Sequence, residues 1–137
     1  MSVITVGWHE KGSLPLLGIR RLPIKIDTGA KTSSLHATDI EVFNKADIPW
    51  VRFKTVSPLG EAITVESELF DKREVKSSNG QIQARYVIKT LLEMGGEQWS
   101  IQLTLANRKR MRFKMLLGRR AMKHIRVLPT KADLLSS

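Results

Sequence analysis

The sequence contains no cysteine, which excludes disulfide frameworks, thiolate nucleophiles and cysteine-ligated zinc or iron–sulfur sites. A chain without cysteine suits a reducing compartment, and the expected location is the cytoplasm. No apolar run approaches the roughly 18–20 residues of a membrane-spanning helix, so no membrane partner is expected. Residues 1–12 lack the basic and apolar regions of a secretory signal. Helical periodicity is scarce too: its best candidate is residues 119–124, just after Gly118, with Ala121 and Met122. Acidic residues are few, 13 Asp+Glu against 23 Lys+Arg, which leaves a net charge of +10 on 137 residues.

What is present reads as globular. Hydrophobic residues make up 42% and charged residues 26%, and the length predicts one domain over residues 1–137. Four stretches alternate with period two: Val51, Phe53 and Thr55; Ile63, Val65 and Leu69; Ile82, Ala84, Tyr86 and Ile88; and Trp99, Ile101, Leu103 and Leu105. Each puts apolar side chains on one face of a sheet and polar ones on the other. Turn signals separate them: Ser57-Pro58-Leu59-Gly60, Ser78-Asn79-Gly80 and Met94-Gly95-Gly96. Asn-Gly is the strongest of these, because a type I′ turn needs positive φ at both central residues. Short strands at this spacing predict a small all-β barrel or sandwich. The expected layout is an N-terminal arm over residues 1–20, a barrel over 21–128 and a tail over 129–137.

Positive charge concentrates in residues 107–124, which hold eight basic side chains and no acidic one. Such a cluster attracts phosphates, acidic peptides or anionic surfaces. It is interleaved with Met111, Phe113, Met115, Leu116 and Leu117, the pattern of a half-buried strand with a solvated basic face. Nucleic acid is a conceivable partner here. The chain lacks an RNP aromatic pair, a KH-type loop and zinc-finger spacing, so a substrate-steering face is the expected role.

The most informative stretch is Leu22-Pro23-Ile24-Lys25-Ile26-Asp27-Thr28-Gly29-Ala30-Lys31-Thr32-Ser33-Ser34-Leu35-His36. An apolar strand runs into an acid, a hydroxyl, a glycine and a small residue, then into a second strand. Gly29 allows close backbone approach, and Thr28 can bond locally to hold the loop. Asp27 is thereby set at the tip of a rigid element, where a reactive group is best positioned.

Asp27-Thr28-Gly29-Ala30 resembles the signature of the retropepsin-like aspartic peptidases. The partner motif of two apolar residues and a glycine follows late, as Leu116-Leu117-Gly118, with Ser78-Asn79-Gly80 between them where such folds carry a flap. The chain is similar, more closely, to small bacterial proteins labelled ATP-dependent zinc proteases and described as a retropepsin-like domain. Val6-Gly7-Trp8, Arg73-Glu74-Val75-Lys76, Arg85-Tyr86 and Asn107-Arg108 complete the match, which covers nearly the whole chain. The resemblance implies a closed antiparallel barrel with one short C-terminal helix. It implies a homodimer in which Asp27, with Thr28 and Gly29, meets its counterpart and activates water. Ala30, Lys31, Ser78, Asn79, Gly80 and Arg119 are then expected to face a peptide or protein substrate, with Leu116, Leu117 and Gly118 supporting the loop. Viral members carry an acid soon after the signature, able to pair with the late arginine. Here Lys31 and Thr32 stand in that region, so Arg119 needs another partner and the subsites become more positive. An acidic substrate fits them, and the family's association with ATP-grasp glutamate ligases points to a glutamate-tagged tail.

No metal and no cofactor are expected. His9, His36 and His124 are isolated, and His9-Glu10 is not followed by the second histidine of a helical zinc site. Gly7-Trp8-His9-Glu10-Lys11-Gly12-Ser13 has phosphate-loop glycine spacing without the lysine, so ATP dependence could come only from a partner protein. Ser33 or Ser34 with His36 lacks the strained elbow of a serine nucleophile. The reading from a different class is a non-catalytic adaptor on the same scaffold, whose basic face binds a protein or an RNA.

Overall fold

The computed structural model describes residues 2–76 and 79–135. Its strands are β1 (Ile4–Val6), β2 (His9–Leu14), β3 (Ile19–Ile26), β4 (Ser33–His36), β5 (Thr38–Lys45), β6 (Ile48–Val56), β7 (Ala62–Lys76), β8 (Ile82–Met94), β9 (Glu97–Ala106), β10 (Met115–Leu117) and β11 (Ile125–Val127). Strands β2, β3, β10, β4, β9 and β8 follow one another, and a bridge from Ser13 to Glu93 closes the ring. The predicted closed barrel is therefore present. It is not the wholly antiparallel barrel expected: two of its seams are parallel, β3 with β10 and β4 with β9. Both join strands far apart in the chain, as parallel pairing demands. Beyond β8 the sheet continues antiparallel through β7, β6 and β5.

Alternation explains the core. In β6, Val51, Phe53 and Thr55 are buried while Arg52 and Lys54 are exposed. Ile88, Leu92, Leu103, Leu35, Met115 and Leu117 fill the interior, each apolar side chain contributing about 1.5–3 kcal/mol when fully buried. In β8 the expected inward face holds only in part, since Ile82 is 68% exposed. The cause is topological. Among the described residues, β7 pairs only with β8 from Asp71 onward, and β8 reaches β9 only from Val87. Residues 71–76 and 82–86 thus form a two-stranded arm standing clear of the barrel. Asn79 and Gly80 lie at its tip, and Ser78 lies outside the described residues.

Three other expectations change. The short helix expected within 119–124 is reduced to a single 3-10 turn, Arg119–Ala121. Residues 107–114 are a loop rather than a strand, and only Met115–Leu117 pairs. Lys114 explains this: its Nζ donates to the carbonyls of Arg108, Lys109 and Met111 at 3.2, 2.8 and 2.7 Å, folding the chain around itself. The N-terminal stretch is no arm, because β2 lies within the barrel. Gly12 makes that approach possible, since a Cβ there would sit 2.7 Å from Ile24 Cδ1.

The C-terminal stretch is strapped down by one buried carboxylate. Glu10, 0% exposed, accepts hydrogen bonds from the amides of Gly7, Leu134 and Leu135 at 2.7, 2.8 and 3.0 Å. Alongside, Trp8 N–H donates to the Lys131 carbonyl at 2.7 Å and Asp133 N–H to that of His9 at 3.0 Å. Replacing Glu10 with alanine leaves three main-chain donors without their acceptor. Thermal unfolding of Glu10→Ala should show a loss of about 3 kcal/mol, roughly 10 °C in Tm. A Tm within about a degree of the parent contradicts this role for Glu10.

Candidate active site

Leu22, Ile24 and Ile26 anchor β3 in the core, so the chain emerges at Asp27 from a fixed point. The late segment then holds the loop through main-chain bonds. Asp27 N–H donates to the Leu117 carbonyl at 2.9 Å, Arg119 N–H to that of Ala30 at 2.8 Å and Arg120 N–H to that of Lys31 at 3.1 Å. Gly118 N–H donates to Ser33 Oγ at 3.0 Å. Within the loop, Asp27 Oδ1 accepts the Gly29 amide at 2.9 Å, which turns the carboxylate along the loop. Thr28, Gly29 and Lys31 are exposed and Asp27 is half-buried. Arg119, expected to need a new partner, finds the Thr28 carbonyl, with Nη1 at 3.0 Å.

Asp27, Thr28, Gly29, Ala30, Lys31 and Arg119 therefore cluster, with Leu116, Leu117 and Gly118 alongside. Asn79 and Gly80 sit apart at the tip of the arm. There Asn79 Oδ1 accepts the Gln81 amide at 3.1 Å, and Gly80 supplies the turn's positive φ of 86°.

One neighbour escaped the sequence reading. Arg108 bonds through Nε to the Phe113 carbonyl at 3.0 Å and through Nη1 to Ser34 Oγ at 3.3 Å. Burial pulls its guanidinium below the ordinary arginine value, and the Asp27 carboxylate nearby opposes that shift. The basic run hid it among look-alike cations. The Arg108 amide donates to His36 Nδ1 at 2.8 Å. Burial first, then the charges of Lys114, Arg108 and Lys109, hold His36 below its ordinary value of 6.5.

The comparisons with known proteins decide the family. Residues 5–134 match the family model described as RimB-like, retropepsin-like aspartic endopeptidase RimB. The chain belongs to the RimB-like family. A solved Legionella pneumophila protein of unknown function superposes with a TM-score of 0.82 at 30% identity, covering 96% of this chain and 98% of that one. Two relatives carry the name "Probable alpha-L-glutamate ligase": one from Shewanella halifaxensis (strain HAW-EB4), 41% identical over 85% of this chain, and one from Parasynechococcus marenigrum (strain WH8102), 43% identical over 87%. The chain spans only 26% of either relative. The expected retropepsin-like aspartic peptidase domain is thus established.

The zinc in the label applied to similar proteins finds no matching donor set. His36 Nδ1 is engaged by an amide, His9 faces Asp133 at 3.4 Å and His124 stacks edge-on against Trp99 at 4.2 Å. Among the described residues no three His, Asp or Glu gather in metal-binding geometry.

Two outcomes follow from this geometry. A Cβ on Gly118 would meet the Thr32 main chain at 2.5 Å, so Gly118→Ala should cost about 2 kcal/mol or more in denaturant unfolding; an unchanged midpoint contradicts the packing. His36, with its value lowered on folding, binds protons less readily than in the unfolded chain. Its stabilising contribution is complete above 6.5 and is lost as pH falls through the lowered folded value. Unfolding free energy should therefore drop as pH falls from above 6.5 through the lowered folded value, less steeply in His36→Asn, and equal slopes would count against it.

Proposed function

We propose that the chain is one half of an aspartic endopeptidase, completed when two copies pair about a twofold axis. One observation carries this reading: each chain offers a single Asp-Thr-Gly-Ala loop, rigidly held, with Thr28 and Gly29 exposed beside Asp27. A lone carboxyl can serve as base or as acid, whereas peptide hydrolysis at neutral pH needs both. An isologous dimer brings the same patch of each copy together, so Asp27 meets Asp27 of the partner subunit. Two carboxyls a few Å apart share one proton, because both cannot ionise there. The ionised one takes a proton from water, whose oxygen attacks the scissile carbonyl carbon. The protonated one hydrogen-bonds the carbonyl oxygen and stabilises the tetrahedral intermediate. The C–N bond then breaks as its nitrogen takes up a proton, leaving a carboxyl and an amine. Thr28 ties the two loops, and Asn79 and Gly80 at the tip of the arm close over the substrate and exclude water.

The substrate class in this reading is an acidic or glutamate-tagged chain. Lys31 and Arg119 flank the loop, the net charge is +10, and the longer relatives that contain this domain are named for glutamate ligation. The setting is the cytoplasm. One observation favours the adaptor reading instead: Lys109, Arg110 and Arg112 are exposed on the 107–114 loop, a surface for an anionic protein or RNA.

Asp27→Asn separates the two. Asparagine keeps an Oδ1 acceptor for the Gly29 amide, so the loop should fold. Cleavage of an acidic peptide should fall by about a thousandfold or more, with the dimer mass in light scattering unchanged. Full cleavage by Asp27→Asn, or a parent protein that is strictly monomeric while cleaving, refutes the peptidase proposal.

A further inference from the structure

Next to the Asp27 loop the fold forms an open cavity of about 800 Å³, a typical ligand-site size of about 300–1,000 Å³. Arg73, Lys89, Arg119, Arg120 and Lys123 line it, and among the described residues no carboxylate does. Arg73 reaches it from the base of the arm, Lys89 from β8 and the other three from the turn after Gly118. Concentrating like charges in a concavity focuses a positive field on whatever enters.

The cavity is built, and it is continuous with the loop. Its apolar floor includes Trp99 and Ile101. The Trp99 indole N–H donates to the Ala121 carbonyl at 3.1 Å and its ring meets His124 edge-on at 4.2 Å, which fixes the floor against the 3-10 turn. Arg73 is held by Asp71 at 3.0 Å and by Gln102 at 3.3 Å. Thr32 and Ser33, which follow the signature directly, form part of the wall. Arg119 spans both places, since its Nη1 holds the Thr28 carbonyl while its side chain borders the cavity.

We propose that this cavity is a carboxylate-binding exosite: it holds the flank of an acidic peptide whose scissile bond lies at Asp27. The proposal rests on the peptidase reading for the identity of its occupant. Guanidinium and ammonium groups grip carboxylates by charge-assisted hydrogen bonds. The apolar floor accepts the methylene stems of glutamate side chains. RNA fits less well, because single strands need a series of aromatic faces on which successive bases stack, and among the described lining residues Trp99 is the one Trp, Tyr or Phe.

The test uses the Asp27→Asn chain, so that binding is read without turnover, with Trp99 fluorescence as reporter and Trp99→Phe as the control that removes it. An oligoglutamate peptide should change the Trp99 signal and bind at least about tenfold more tightly than an oligoglutamine peptide of the same length. Arg120→Glu with Lys123→Glu should abolish that preference, and Arg120→Gln with Lys123→Gln serves if the reversed pair fails to fold. In the Asp27 chain the same pair should raise KM for an acidic peptide at least about tenfold. Equal affinity for the two peptides, an unchanged preference in the double variant, or tighter binding of oligouridylate overturns the proposal. If oligoglutamate binds through Arg120 and Lys123 but the Asp27 chain cleaves nothing, the exosite stands and the peptidase reading falls. If cleavage proceeds with KM unaltered in the double variant, the exosite falls and the peptidase reading stands.

Discussion

The architecture depends on the parallel seam between β3 and β10, where Met115, Leu116 and Leu117 lie against Ile24, Lys25 and Ile26. It joins residues about ninety positions apart and continues past the strand ends into the bonds from Asp27, Arg119 and Arg120. The Asp27 loop is therefore tied down: its two strands are anchored in the barrel, and the carbonyls of Ala30 and Lys31 are taken by amides of the late segment. Parallel pairing of distant segments is entropically costly to form. Here it is supported by the burial of Ile24, Ile26, Met115 and Leu117.

The same constraint explains the neighbourhood of Asp27. Once β10 is inserted between β3 and β4, the chain before it must return from β9 in a loop. Lys114 closes that loop on three carbonyls and Arg108 is drawn towards Ser34 and Asp27. After β10 the 3-10 turn brings the Arg119 guanidinium onto the Thr28 carbonyl. Positive charge thus reaches the Asp27 loop from segments on both sides of β10 in the chain, although the sequence shows it as one unbroken basic run. An acidic segment approaching this region is attracted without any single strong pair, which is how a charged cleft steers its ligand.

Glu10 shows how a small barrel can secure its ends without cross-links. The chain has no cysteine, and a carboxylate accepting three amides does comparable work in joining residues 7–10 to residues 131–135. Gly7 belongs to this device as well, since a Cβ there would collide with the Lys131 main chain. Strand β2 carries both the carboxylate and the glycine that lets it lie close to β3, so strap and barrel closure are one feature.

Strands β6 and β9 were legible because one face is buried and one is wet, which writes period two into Phe53 and Ile101 and their neighbours. The hairpins at Asn79-Gly80 and Gly95-Gly96 were legible because Gly80, Gly95 and Gly96 take positive φ, where glycine is unstrained, and Asn-Gly and Gly-Gly pairs signal such turns. The hairpin between β5 and β6 was not, since Ala46 and Asp47 adopt φ of 51° and 64° without either signal residue at the central positions. Strand β2 was hidden by Glu10, Lys11 and Gly12, which are polar or small yet lie in the barrel. The sequence by itself determined the loop at Asp27, its late apolar partner and the excess of positive charge, because each is a local choice of residue types. Only tertiary structure decided that Arg119 holds Thr28, that Arg108 lies near Asp27 and that five cations surround one cavity. Those depend on which distant strands pair, and pairing is fixed by the closure of the whole barrel.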